Sequence, residues 1–152
     1  MSRRDQITMS QEELEEFLRG RHTLEVATIG PSGRIHLVAM WYGFLDGDIA
    51  FWTYRKSQKV VNLRRDPRMT CLVETGDTYD QLRGVELVGR GEVLDDRGSV
   101  MRIGESVSER YTGPVDDQVR AGIEVIGAKR VGVRLRVESV VSWDHRKLGG
   151  AY

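Results

Sequence analysis

Residues 41–68 read WYGFLDGDIAFWTYRKSQKVVNLRRDPR, and the organisation of the whole chain turns on this stretch. Asp46-Gly47 is a tight-hairpin dipeptide, because both central residues of such a turn need a positive φ that Gly, and to a lesser degree Asp, adopts at low cost. The segment after it, IAFWTY over 49–54, is rich in β-branched and aromatic residues and predicts a strand. Arg55-Lys56 then form a basic turn. Residues 57–65 predict a short helix with Val60, Val61 and Leu63 apolar, stopped by Asp66-Pro67. Hairpin, strand, basic turn and helix therefore follow each other within one short stretch.

Working outward, Ser10 and Glu13 have capping-box spacing, and Leu14, Phe17 and Leu18 share one face of a helix that Gly20 ends. Residues 23–29 predict a first strand, Gly30-Pro31-Ser32-Gly33 a turn, and 35–44 a second strand running up to the hairpin. Beyond the central helix, 69–74 predict a strand. Residues 85–94 predict a long one, whose Gly89 and Gly91 suggest a bend or bulge. Helical patterns over 99–111 and 116–126 flank Thr112-Gly113-Pro114. The final strand, 131–141, places Val131, Val133, Leu135 and Val137 on one side and Gly132, Arg134, Arg136 and Glu138 on the other. A polar tail is expected over 143–152. Six strands joined mostly by tight turns favour an antiparallel, closed or half-closed sheet over alternating βαβ units. The expected fold class is mainly β with helices (α+β), in a single domain over 1–152.

Charge and composition narrow the function. With 23 basic and 23 acidic residues in 152, the chain has no net charge to grip bulk nucleic acid or an anionic membrane. The one cysteine, Cys71, excludes an intrachain disulfide, and its apolar setting reads as a small buried hydrophobe. His22, His36 and His145 share no metal-ligand spacing, so no metal site is expected. No apolar run reaches the length of a membrane span or resembles a signal peptide, and the expected location is cytoplasmic.

The strongest chemical signal is the strand-to-helix junction at 53–59. A helix start exposes unpaired N–H groups and a partial positive charge. Ser57 can cap it or donate its hydroxyl, Lys59 adds a full charge in the first turn, and Thr53 offers a second hydroxyl. Together these make a phosphate cradle, although an ordinary Ser-capped basic turn has the same pattern. Trp41, Tyr42, Trp52 and Tyr54 can wall a ring system or simply fill the core. The basic run after Trp143 can cover a ligand or face solvent. Gly89-Arg90-Gly91 has no helix behind it and is not a dinucleotide fingerprint.

The ordered set Trp41-Tyr42, Asp46-Gly47, Phe51-Trp52-Thr53, Ser57-Gln58-Lys59 and Asn62-Leu63-Arg64-Arg65-Asp66-Pro67-Arg68 resembles the pyridoxamine 5'-phosphate oxidase-like split-barrel flavoproteins. Residues 82–93, LRGVELVGRGEV, are similar to that family's next strand. The short form with Asn-Leu-Arg-Arg-Asp-Pro is most similar to the branch that uses coenzyme F-420, a deazaflavin. The resemblance implies a six-stranded antiparallel split β-barrel working as a homodimer. It implies that Lys59 binds the cofactor phosphate, with Ser57 and Gln58 beside it and Trp52 and Thr53 lining it. It implies that the strand Leu37, Val38, Ala39, Met40, Trp41 runs along the ring, and that Arg83 falls near a position reaching the cofactor across the dimer.

The implied activity is hydride transfer from reduced F-420 to an unsaturated small molecule. FMN-dependent oxidoreduction, or non-catalytic flavin or haem binding, are the alternatives. No catalytic acid is picked out. His36-Leu37-Val38-Ala39-Met40 replaces the basic residues of true pyridoxamine phosphate oxidases, and their arginine-rich end has no counterpart, so vitamin B6 oxidation is not expected.

Overall fold

The computed structural model describes residues 1–150. The chain forms α1 (Arg3–Ile7), α2 (Gln11–Arg19), β1 (Leu24–Ile29), β2 (Ile35–Met40), β3 (Gly43–Leu45), β4 (Asp48–Tyr54), α3 (Gln58–Arg65), β5 (Arg68–Thr75), β6 (Arg83–Leu94), α4 (Arg97–Tyr111), α5 (Asp117–Gly127) and β7 (Arg130–Asp144). Single 3-10 turns occupy Tyr79–Gln81 and His145–Leu148. The strands make one curled antiparallel sheet in the order β2-β1-β5-β6-β7-β4-β3, a half-barrel with β2 and β3 at its two edges.

The sheet has seven strands where six were expected. The extra one comes from residues 35–44, which divide at Trp41-Tyr42. Met40 still pairs with Leu24 of β1, whereas Gly43 pairs with Ala50 of β4. The chain therefore leaves one edge of the curl and joins the other within two residues. Tyr42 anchors that corner: its ring is fully buried and its hydroxyl donates to the Leu18 carbonyl at 2.6 Å. Alternating side chains continue across the corner, so the pattern carries no mark of the break.

Inward residues of β1, β5, β6 and β7, among them Leu24, Val26, Met69, Cys71, Val85 and Val133, make the main core, which Phe17 and Leu18 of α2 close. A smaller cluster of Leu45, Ala50, Ile103 and Val107 lies under α4. The suspected irregularity in β6 is real: the β6–β7 register shifts between Val88 and Gly89. A Cβ on Gly89 would sit 2.0 Å from the Arg136 carbonyl oxygen, so this crossing requires glycine.

Val137 follows Val131, Val133 and Leu135 in the strand alternation but is exposed, because β4 pairs with β7 only as far as Arg134; the extra residue at the register shift, Glu138, comes after it. One further expectation is corrected. The polar tail does not begin at residue 143. Trp143 and Asp144 belong to β7, with Asp144 buried and bonded by the Arg146 guanidinium. Residues 151 and 152 of that tail lie outside the described residues.

Candidate functional site

β4 ends on an alternation that separates Thr53, turned inward and buried, from Trp52 and Tyr54 on the opposite side. After the Arg55-Lys56 turn, Ser57 takes the N-cap position of α3 with extended backbone, but its side chain accepts no hydrogen bond from the first turn. The caps of α2, α4 and α5 differ: Ser10, Asp96 and Asp116 each accept from the third helical N–H. The start of α3 thus keeps its partial positive charge uncapped by its own side chain.

Lys59 lies at this point. It is only 8% exposed, and its Nζ donates to Thr53 Oγ1 at 3.0 Å. Thr53 Oγ1 in turn lies 3.5 Å from Ser57 Oγ. Burial, and next the charge of Arg130, hold the Lys59 ammonium below the usual lysine value. None of the ion pairs formed among the described residues includes Lys59. A buried cation whose acceptor is a neutral hydroxyl is the arrangement that an incoming anion relieves.

The remaining expected residues divide between this site and other places. Gln58 is adjacent, but its Nε2 donates to Asn62 Oδ1 at 2.8 Å, and Asn62 in turn donates to Thr28. Trp52 lines the junction through its backbone, while its ring packs on α4 and α5; Cβ atoms at Gly104 and Gly127 would meet it at 2.6 and 3.2 Å. On edge strand β2, Val38 and Met40 turn to the core, and Leu37, Ala39 and Trp41 form an outward row. Trp41 keeps one face open and stacks the other on Tyr111, with ring centroids 4.7 Å apart and planes 3° from parallel. The Tyr111 hydroxyl donates to the His22 carbonyl at 2.5 Å.

Arg83 is not brought to this junction within the chain. It pairs with Asp144, whereas the junction end of the same ladder pairs Leu94 with Gly132. There Arg83 stacks on Phe17 and lines a small cavity of about 180 Å³ with Met9, Glu13 and Asp144. A larger apolar groove of about 560 Å³ runs between α2 and the sheet, past Leu14, Phe44, Ile49 and Val140. Neither cavity includes Lys59. Among the described residues no three His, Cys, Asp or Glu side chains converge as metal ligands. No helix there is long and apolar enough to cross a membrane.

Sequence reasoning missed Arg130. The first residue of β7 pairs with Tyr54, and its guanidinium stands over the Trp52 and Tyr54 rings. Its only local signal is the pair Lys129-Arg130 before an apolar strand. Many basic residues of this chain have similar neighbours, and only the β4–β7 pairing brings this one onto the two rings, on the side of β4 away from Thr53.

The profile of the pyridoxamine 5'-phosphate oxidase family matches residues 10–144. No curated protein matches the chain. Among solved structures, a conserved hypothetical protein, Rv2991, from Mycobacterium tuberculosis is 48% identical over 100% of this chain and 95% of its own, with a TM-score of 0.94. A protein described as an F420 reductase is 25% identical over 83% of this chain and 94% of its own, with a TM-score of 0.65. HutZ, the heme storage protein from Vibrio cholerae, shares the fold at 14% identity, 87% and 94% coverage and a TM-score of 0.68.

Proposed function

The chain belongs to the pyridoxamine 5'-phosphate oxidase family, and from that premise we propose that it is a coenzyme F-420-dependent oxidoreductase acting on an unsaturated small molecule. The observation that carries this reading is Lys59: buried, without a carboxylate partner, and held by Thr53 at the uncapped start of α3. Thr53, Ser57, Lys59 and the first-turn N–H groups of α3 would hold the phosphate. The outward row Leu37, Ala39 and Trp41 would carry the ring, with small Ala39 between the larger two leaving room for a flat tricycle against the strand.

Bound and reduced, the deazaflavin supplies the hydride. The chain's own task is placement: the phosphate grip sets the position of the ring, and the apolar strand excludes water from one face. The substrate would stack on the other face.

Two features favour F-420 over FMN. Arg55 and Lys56 are exposed beside the cradle and suit the carboxylate-rich tail that FMN lacks, and a protein described as an F420 reductase is similar over most of both chains. A homodimer goes with the same reading. The β2 row and the exposed Val137 and Val140 of β7 leave apolar strand surface to cover, and Arg83 would reach the cofactor of the other copy.

Parallel fluorescence titrations with F-420 and FMN test the proposal, with Lys59→Ala as the comparison. The expected result is micromolar or tighter F-420 binding, weakened about tenfold or more by the substitution, with feeble FMN binding. Preference for FMN would transfer the function to a flavin oxidoreductase. Binding of neither would remove the functional reading and leave the fold.

A further inference from the structure

Trp41 is 54% exposed, yet its ring is not free to move. It follows Leu37 and Ala39 in the outward row of β2, at the point where the chain crosses to β3. One face of its indole is covered by the Tyr111 ring, which lies nearly parallel to it, and the other face is open. A tryptophan standing alone on a surface samples several rotamers, and ordering it on binding costs free energy. Here the ordering is complete before any ligand arrives.

Tyr111 is held in turn by the surrounding backbone. It is the last residue of α4, and its hydroxyl donates to the His22 carbonyl, on the segment between α2 and β1. The Tyr42 N–H donates to the same hydroxyl at 3.4 Å. The preceding residue, Arg110, directs its guanidinium to three carbonyls: Nε donates to Tyr42 at 2.8 Å, and the two terminal nitrogens donate to Arg19 and Gly20 at 2.9 Å. Two of these carbonyls lie at the end of α2, where a cation is favourable. The same guanidinium stands over the Tyr42 and Phe44 rings, 4.6 and 4.8 Å from their centroids. The last turn of α4 is therefore tied to α2, to the entry of β1 and to the β2–β3 corner. Tyr111 carries that rigidity to Trp41.

Core packing alone does not account for the pair. Burying an aromatic ring removes its apolar surface from water, whereas this arrangement leaves one indole face wet and holds it flat. A rigid, electron-rich face at the end of an apolar strand row suits a planar, electron-poor conjugated ring. We propose that Tyr111 is a positioning residue of the ring site, holding the Trp41 indole as a preformed stacking face for the conjugated chromophore. The inference rests on the functional reading above for the identity of that chromophore and its place along β2. The contact it adds is to the ring, separate from the phosphate grip at Lys59, and it depends on an element distant from β2 in the sequence.

The test compares wild type, Tyr111→Leu, Tyr111→Phe and Trp41→Ala, first by thermal melting without ligand to establish that each folds. Still without ligand, the tryptophan emission that Trp41→Ala removes should lose anisotropy in Tyr111→Leu and keep it in Tyr111→Phe, whose ring still stacks. Binding is then measured for F-420 and FMN, and for deazariboflavin and riboflavin, which lack the phosphate. Tyr111→Leu and Trp41→Ala are each expected to lose about fivefold in affinity for the phosphorylated chromophore that wild type binds, and the same factor for its phosphate-free counterpart. Tyr111→Phe should recover most of that loss, and Lys59→Ala should weaken only the phosphorylated form.

A folded Tyr111→Leu protein with wild-type anisotropy, or with wild-type affinity for the chromophore, overturns the proposal. Wild-type affinity in Trp41→Ala does the same, and it decides the matter even if Tyr111→Leu does not fold. A loss confined to the phosphorylated form also overturns it, because the effect would then lie at the phosphate cradle. Preference for FMN with the same dependence on Tyr111 would uphold the stacking face and reject the F-420 function. F-420 binding indifferent to Tyr111 and Trp41 would do the reverse, and binding of no chromophore by wild type would reject both.

Discussion

Burial acts on Cys71 and Lys59 toward the same end, the neutral form, and so moves their proton equilibria in opposite directions. The Cys71 thiol is pushed up to about 12, and the Lys59 ammonium is lowered. Cys71 should therefore resist alkylation by iodoacetamide in the native protein near neutral pH and react on unfolding; rapid native labelling would contradict its place in the core. For Lys59 the folded value lies below the unfolded one, so between them the unfolded chain holds more protons. The Lys59 contribution to stability accordingly rises with pH from the lowered value up to the ordinary 10.5. Anion binding needs the protonated form, so affinity for the phosphorylated chromophore should fall as pH rises through that lowered value. Titrations at alkaline pH should show the fall in wild type and its loss in Lys59→Met. Tyr42→Phe removes the 2.6 Å bond to the Leu18 carbonyl and should cost about 1 kcal/mol in urea unfolding.

At the scale of elements, turns and caps were readable and edges were not. Asp46-Gly47 forms the expected hairpin, with φ of 50° and 86°, and Ser10 makes its capping box with Glu13. Both are short-range features whose energetics lie in a few consecutive residues. The division of 35–44 into β2 and β3 has no such local cause, because it depends on which strand each half meets across the curl. The glycines of β6 were legible as an irregularity, though not as a close crossing over Arg136. Gly89→Ala drives its Cβ into that backbone carbonyl and should destabilise the protein by about 3 kcal/mol, near the upper end for single substitutions. Chemical denaturation measures this, and a cost within about 0.5 kcal/mol would mean that the crossing relaxes freely.

On the scale of the whole molecule, β7 changes its surroundings halfway along. Residues 130–134 pair with β4, and 132–134 of these also with β6 on the other side, while the remainder of the strand pairs only with β6. The free side exposes Val137 at 47% and Val140 at 43%, beside the apolar groove under α2. An open strand edge with exposed valines favours association with another copy. Sedimentation should give a dimer, and Val137→Glu with Val140→Glu should shift it toward monomer without changing the far-ultraviolet spectrum. A wild-type monomer at micromolar concentration would reject the dimer, and an intact dimer in the double variant would place its interface elsewhere. If the dimer completes the cofactor site, the same double variant also loses F-420 binding.

The β-rich hairpin architecture, the starts of α2, α3 and α5 and the cluster Thr53, Ser57 and Lys59 were determined by the sequence alone, because each rests on propensity, turn chemistry or charge over a few neighbouring positions. Tertiary structure alone decided the seventh strand, the separation of Arg83 from the junction and the stacking of Arg130 on the Trp52 and Tyr54 rings. These depend on strand order and register, which set the neighbours of residues far apart in the chain, and no local pattern of side chains encodes a distance across a curled sheet.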